Sequence, residues 1–246
     1  HEPWVRGHVA RTLQDDGVTL RRHASGSAEA VRRRGAGVEV RFADGGAVTA
    51  ERLIAATGRR PRTGALGLEA AGVRVERAGI VVDERCRAAD GVWAVGDVTG
   101  VAPFTHVASY QGRVAAADIL GRPARADLRA VPRVVFCDPE VAQAGRSAAA
   151  AAADGIDVVT GHADLADTDR TETYGSDLHG GLAVHADRRR GVLVGATAVG
   201  PLASEWIHVL ALAIKAEVGV DVLRDSVFQF PTFSELVLEA VRALEL

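Results

Sequence analysis

The sequence predicts a mixed α/β and α+β protein, and three observations carry that reading. Apolar residues alternate at period two through Val38, Val40 and Phe42, the mark of a strand with one buried face. Helical spacing governs Val107 to Ala117 and again Ile207 to Val218. The strand-then-helix pattern also restarts after Ala130, which predicts a second domain beyond a boundary at 121–128.

Taken in chain order, Val5, Val9 and Leu13 predict an opening helix stopped by Gly17, followed by a short strand-like run at Val18 and Leu20. The alternating stretch then turns at Asp44-Gly45-Gly46 and continues from Val48 to Leu53 and Ile54, a β-meander. After Pro61 a Gly-punctuated connector holds a short strand at 80–82. Residues 91–97 read as a buried strand ending in a carboxylate. A helix from about Thr105 to Leu120 follows, with Val107, Tyr110, Val114 and Ala117 facing the core and Gly112 allowing close approach to a neighbour.

Beyond the boundary, 131–136 is a strand and Ser147 caps a helix through the alanines 148–153. Strands at 182–184 and 192–199 pair about the Arg188-Arg189-Arg190-Gly191 turn, a solvated charge run. Ser204 caps a helix bearing Ile207, Leu210, Ala211, Ile214 and Val218. A last helix repeats the pattern with Leu236, Val237, Ala240, Val241 and Leu244.

Composition narrows the function. With 246 residues, 48% of them hydrophobic, the chain can build one large or two smaller cores. A net charge of -3 with scattered basic residues argues against nucleic-acid or anionic-membrane partners. No apolar stretch reaches membrane-spanning length and no signal peptide opens the chain, so the expected compartment is the cytoplasm. Cys86 and Cys137 form no CxxC and read as small apolar fillers. His162, His179 and His185 lack ligand spacing, so no metal site is expected. His208, Trp93 and Trp206 read as packing residues.

The chemistry concentrates in GVWAVGDVTG at 91–100 and PFTHVASYQGRVAAADIL at 103–120. A strand ending in Gly96-Asp97 places a carboxylate where sugar-like hydroxyls can be held. The helix beginning just after it offers free N–H groups and a positive dipole end, worth roughly 0.3–2 kcal/mol toward an electron-rich ligand edge. An ordinary βα turn with Asp97 capping a loop fits the same residues.

Three stretches in order, LIAATGRRPRT (53–63), GIVVDERCRAADGVWAVGDVTG (79–100) and VPRVVFCDPEVAQAG (131–145), resemble the pyridine nucleotide-disulfide oxidoreductases. That family includes dihydrolipoamide dehydrogenase, glutathione reductase and mercuric reductase, and the match runs over nearly the whole chain. The resemblance implies C-terminal portions of Rossmann-like FAD- and NAD(P)-binding domains plus an α+β dimerisation domain. It divides the chain into 1–60 (the C-terminal half of the NAD(P)-binding domain), 61–126 (a segment of the FAD-binding domain) and 127–246 (the dimerisation domain). By the same resemblance Thr57-Gly58 match the loop where the chain returns to the FAD domain. Asp97, after Gly96, matches the aspartate that holds the flavin's ribityl chain. Phe104, Thr105, His106 and Ala108 match the loop and helix start at its pyrimidine edge, and Glu235 matches the glutamate that orients a catalytic histidine in disulfide reductases.

Departures from the pattern matter as much. The family's His-Pro-Thr is Phe230-Pro231-Thr232 in this sequence, and phenylalanine moves no proton. Glu235 then has no imidazole to orient and reduces to a helix-start residue. The chain ends without the cysteine pair of mercuric reductases, so lipoamide, glutathione and Hg(II) are all poor substrate candidates. No GxGxxG occurs, since Gly35-Ala36-Gly37 runs into Val-Glu-Val. With no methionine in the chain either, the expectation is a fragment of a longer enzyme, its start at His1-Glu2-Pro3 falling inside the NAD(P) domain. Its parent passes a hydride from NAD(P)H to FAD and then electrons to a small-molecule acceptor, a disulfide, a quinone or another. The rival reading is a non-catalytic dimerisation or binding module, because the phosphate loops that dominate dinucleotide affinity are missing.

Overall fold

A computed structural model describes residues 2–21, 28–175 and 178–246. His1 and residues 22–27, which belong to the expected NAD(P) segment, lie outside the described residues. The chain divides into two units, one joining the stretch up to Thr12 to Pro61–Leu246 and the other spanning Leu13–Arg60.

Helix α1 (Pro3–Asp15) starts on a proline, whose missing N–H costs nothing in a first turn. It closes as a Schellman motif: Val18 N–H reaches Leu13 O (2.8 Å) and Gly17 N–H reaches Gln14 O (2.9 Å). The strand expected at Val18 and Leu20 does not form, for no ladder partner takes up this stretch among the described residues.

The smaller unit holds the β-meander, with β1 (Ala28–Arg34), β2 (Gly37–Phe42) and β3 (Ala47–Ala50) antiparallel and in sequence order. Asp44 shapes the second turn by accepting the Gly46 N–H at 2.9 Å. β3 stops at Ala50 instead of running to Ile54, whose side chain is 90% exposed. Glu39 on the middle strand binds Arg41 (3.0 Å) and Arg34 (2.8 Å). Those two guanidiniums, Arg41 first, hold its carboxyl below the usual range.

In the larger unit two small hairpins come first, β4 (Val75–Glu76) with β5 (Gly79–Ile80) and β6 (Arg87–Ala89) with β7 (Val92–Trp93). Both are shorter than the stretches 80–82 and 91–97 predict. Residues 91–97 are not one buried strand, because after Trp93 the chain leaves the ladder and tightens into a one-turn 3-10 helix, Gly96–Thr99. Helix α2 (Thr105–Ile119) is rotated from its expected face: it buries Val107, Gln111, Val114, Ala115 and Asp118, while Tyr110 and Ala117 are only half-buried. Gly112 faces open space, so no close packing depends on it.

The C-terminal part is one antiparallel sheet in the order β10-β11-β12-β9-β8, made of β8 (Arg133–Val135), β9 (Glu140–Gly145), β10 (Val158–Asp164), β11 (Gly181–Asp187) and β12 (Val192–Gly200). Helices α3 (Ala148–Ala153) and α4 (Asp169–Tyr174) lie between its strands in sequence, and α5 (Ala203–Ala216), α6 (Val220–Arg224) and α7 (Glu235–Arg242) follow. Ser147 caps α3 as expected, its Oγ accepting the Ala150 N–H at 3.2 Å. Ser204 caps nothing: it lies inside α5, and its N–H goes to the Glu140 carboxylate on β9 at 2.8 Å. The main core fills the sheet face that α5 and α7 cover, with Leu182, Val184, Leu193, Ile207, Leu210, Leu236 and Val237 all nearly sealed from solvent. A fully buried side chain of this size contributes about 1.5–3 kcal/mol.

Candidate functional site

The 3-10 turn at Gly96–Thr99 is held by close contacts at Gly96 and at Gly100 just beyond it. A Cβ on Gly96 would sit 3.1 Å from the Ala108 Cβ, so the turn lies directly on the start of α2. Gly96 also has φ 78°, a left-handed value that glycine adopts without strain. Its N–H donates to Gln111 Oε1 at 2.7 Å, and its carbonyl accepts the Thr99 hydroxyl at 2.8 Å. At the other end, a Cβ on Gly100 would overlap the Ala78 carbonyl oxygen, which packs the turn against the β4–β5 hairpin. Asp97, next in the chain to Gly96, is exposed on the first turn of this 3-10 helix rather than at the tip of a long strand.

Helix α2 opens with an unguarded end. Phe104 occupies the N-cap in extended conformation and supplies no side-chain hydrogen bond. The first intrahelical bond is Ala108 N–H to Phe104 O at 3.0 Å, so the N–H groups of Thr105, His106 and Val107 have no helical carbonyl to meet. The Phe104 ring stacks on His106 (5.3 Å between centroids, 11° apart), and His106 Nε2 lies 2.8 Å from Pro132 O. Gly96 and Ala108 are thus in contact, and the turn that carries the exposed Asp97 packs on α2, whose Phe104, Thr105 and His106 form its electropositive start.

The far end of α2 is anchored by a residue that apolar spacing hides. The Asp118 side chain is 1% exposed and accepts from Arg85 Nη1 (3.1 Å), Arg87 Nη2 (2.8 Å) and Trp93 Nε1 (2.9 Å). The Arg87 guanidinium, with Trp93 and Arg85 behind it, holds its carboxyl far below the usual range. Gln111 and Asp118 tie the helix to the turn and to the β6–β7 hairpin. Their only signal in the sequence is the seven-residue spacing they share with Val107 and Val114.

Thr57 and Gly58 lie in the smaller unit, both exposed and outside regular structure, with Gly58 at φ 112°. Glu235 is engaged locally, Oε2 accepting the Thr232 N–H at 2.8 Å across the first turn of α7. Phe230 is 69% exposed. Among the described residues no group of three or more His, Cys, Asp or Glu is placed to hold a metal ion, and no helix is long and apolar enough to cross a membrane.

Two family models match the chain, the pyridine nucleotide-disulphide oxidoreductase over residues 1–112 and the dimerisation domain of the same family over 131–241. Dihydrolipoyl dehydrogenase of Geobacillus stearothermophilus is 34% identical over 92% of this chain and 45% of its own length. NAD(P)H dehydrogenase (quinone) of Mycobacterium tuberculosis is 35% identical over 98% of this chain and 50% of its own. The crystal structure of LpdA from Mycobacterium tuberculosis superposes with a TM-score of 0.86 at 31% identity, covering 96% of this chain and 51% of that one. The chain spans about half the length of the curated relatives it matches.

Proposed function

Because the chain belongs to the pyridine nucleotide-disulphide oxidoreductase family, we propose that it supplies the flavin-facing turn and the dimer contact of a larger FAD- and NAD(P)H-dependent oxidoreductase. The observation that supports this is Gly96 seated on Ala108, which packs the Gly96–Thr99 turn, and Asp97 with it, against α2, a helix whose N-terminus carries no side-chain cap. Those groups fit the cofactor: a carboxylate suits the hydroxyls of a ribityl chain, and free N–H groups at a dipole's positive end suit an electron-rich pyrimidine edge. Bound FAD would accept a hydride from the nicotinamide and release electrons to a second substrate.

The chain's own residues orient and tune. Asp97 accepts hydrogen bonds from the ribityl hydroxyls. Thr105 and His106 act through their backbone N–H groups, since the His106 ring is already engaged at Pro132 O. Phe104 walls the edge, and Ala108 is small enough for Gly96 to lie against it. Thr57 and Gly58 mark the passage between the NAD(P)-binding part (1–60) and the FAD-binding part (61–126). Residues 127–246 form the two-fold contact, a reading supported by the exposed apolar side chains of Val209, Leu212, Val222 and Val227. The setting is cytoplasmic, with no membrane or nucleic-acid partner.

For the acceptor, Phe230 rules out proton transfer at the position where disulfide reductases carry histidine, and the Glu235 carboxylate is occupied at Thr232. A quinone is favoured over a disulfide, in keeping with the relative named for quinone reduction. Taken alone the chain is inactive and binds FAD weakly, because it carries no phosphate-binding glycine loop.

Titration with FAD, read by quenching of flavin fluorescence, tests this directly. Weak, saturable binding that Asp97→Ala abolishes is expected, in a protein that sediments as a dimer. Identical isotherms for the two proteins would overturn the flavin assignment, and a dimer without any binding would favour a purely structural module.

A further inference from the structure

Antiparallel sheets are commonly wet on one face. In this sheet β11 and β12 are buried along their whole length. Helices α5 and α7 cover one side. The alternation and the register put a different set on the other side: His185 opposite Thr160 and Gly195, Thr197 opposite Gln143 and Ala183, and Val199 opposite Val141. The chain's own N-terminal stretch covers that second face, with Val5 (1% exposed) packed on Val141 and Val199 and flanked by Trp4 and Val9.

A buried polar cluster sits at its edge. Glu2 Oε1 lies 2.7 Å from His185 Nε2, the two side chains 13% and 1% exposed. The contact is out of line for a straight hydrogen bond, and among the described residues neither atom has another partner, so each depends on the other. His185 Nδ1 is 3.0 Å from Thr160 Oγ1, and Glu2 Oε2 accepts the Trp4 indole N–H at 2.7 Å. Around the pair the other titratable groups are Asp187 two residues along β11, His162 two residues beyond Thr160 on β10, and His8 on α1, while β12 faces it with Gly195 and no charge.

We propose that Glu2, Trp4 and His185 form a buried latch that fastens the first turns of α1 to the second face of the five-stranded sheet. The dimerisation domain is then completed by a segment remote from it in sequence, and its polar face is shaped for that segment. The latch does not depend on the flavin assignment.

Two linked buried partners leave a recognisable signature. Removing one strands the other, which is costly, whereas replacing both with apolar groups costs little. Hydrogen exchange on the full 246-residue chain reads this out in residues 3–12. Glu2→Leu and His185→Leu should each speed exchange there by about a hundredfold while α5 and α7 keep their protection, and the double variant should recover most of the loss. Should either leucine variant fail to fold, Glu2→Gln keeps the shape and should give a smaller rise, about tenfold. Unchanged exchange in the single variants, or a double variant as fast as the two effects combined, would overturn the latch.

Discussion

The two larger sheets of this molecule have nearly opposite surroundings. In the C-terminal sheet every residue of β11 and β12 is buried. In the meander of the smaller unit β1 is exposed at all but one position, and Val31 in its middle is 51% accessible. Both sheets have antiparallel ladders, each interrupted by one register shift, at 28–30 in β1 and at His185/Ala186 in β11. The difference teaches that backbone pairing makes a strand, whereas stability comes from what is laid against it, and the C-terminal sheet is covered on both faces while the meander is not.

The largest test of this contrast is a pair of truncations. Leu210→Ala, at a fully buried site on α5, should cost about 2–5 kcal/mol in denaturant melts. Val31→Ala in β1 should cost less than about 0.5 kcal/mol. Comparable losses would break the comparison, as would equal hydrogen-exchange protection in the two sheets. Acid comes next. Burial raises the Glu2 carboxyl, but His185 and Trp4 more than offset it and bring it down from 4.5 to about 2. A depressed acid contributes stability that is complete above its unfolded value and fades as pH falls through the folded one. The covered second face should therefore lose about 2–3 kcal/mol between pH 4.5 and 2, seen as loosening of residues 3–12 before the meander changes, and Glu2→Gln should remove that transition. The smallest effect is local: Ser147→Ala should weaken α3 by about 1 kcal/mol in thermal unfolding and leave the smaller unit untouched.

Which parts were readable in the sequence follows the same physics. Val38, Val40 and Phe42 with the Asp44-Gly45-Gly46 turn announce β2 and β3, because alternation and turn chemistry agree. β1, reading Ala-Glu-Ala-Val-Arg-Arg-Arg, has no apolar alternation and exists as the ladder partner of β2. The start of α2 at Thr105 is legible in the sequence, but Gly96-Asp97 reads as a strand end where a 3-10 turn forms, and the rotation of α2 does not show. Gln111 and Asp118 are polar residues that buried partners make tolerable, and an apolar stripe passes over them. Ser204 looked like a cap because its sequence neighbourhood suits one, and only the fold brings Glu140 to its N–H. The Glu2–His185 pair joins residues far apart in the chain, beyond any local pattern.

The seating of the 3-10 turn has a consequence for how the chain tolerates change. Gly96 and Gly100 flank Asp97 in the chain; both hold left-handed φ values, an added carbon at Gly100 would overlap the Ala78 carbonyl oxygen, and one at Gly96 would crowd the Ala108 Cβ. In a saturation scan all three positions should therefore look intolerant, for two unrelated reasons. Variants at the glycines should vanish from the soluble fraction, whereas variants at Asp97 should accumulate normally and lose only ligand. Counting protein before counting activity would separate the footprint of a cofactor from the scaffold that presents it.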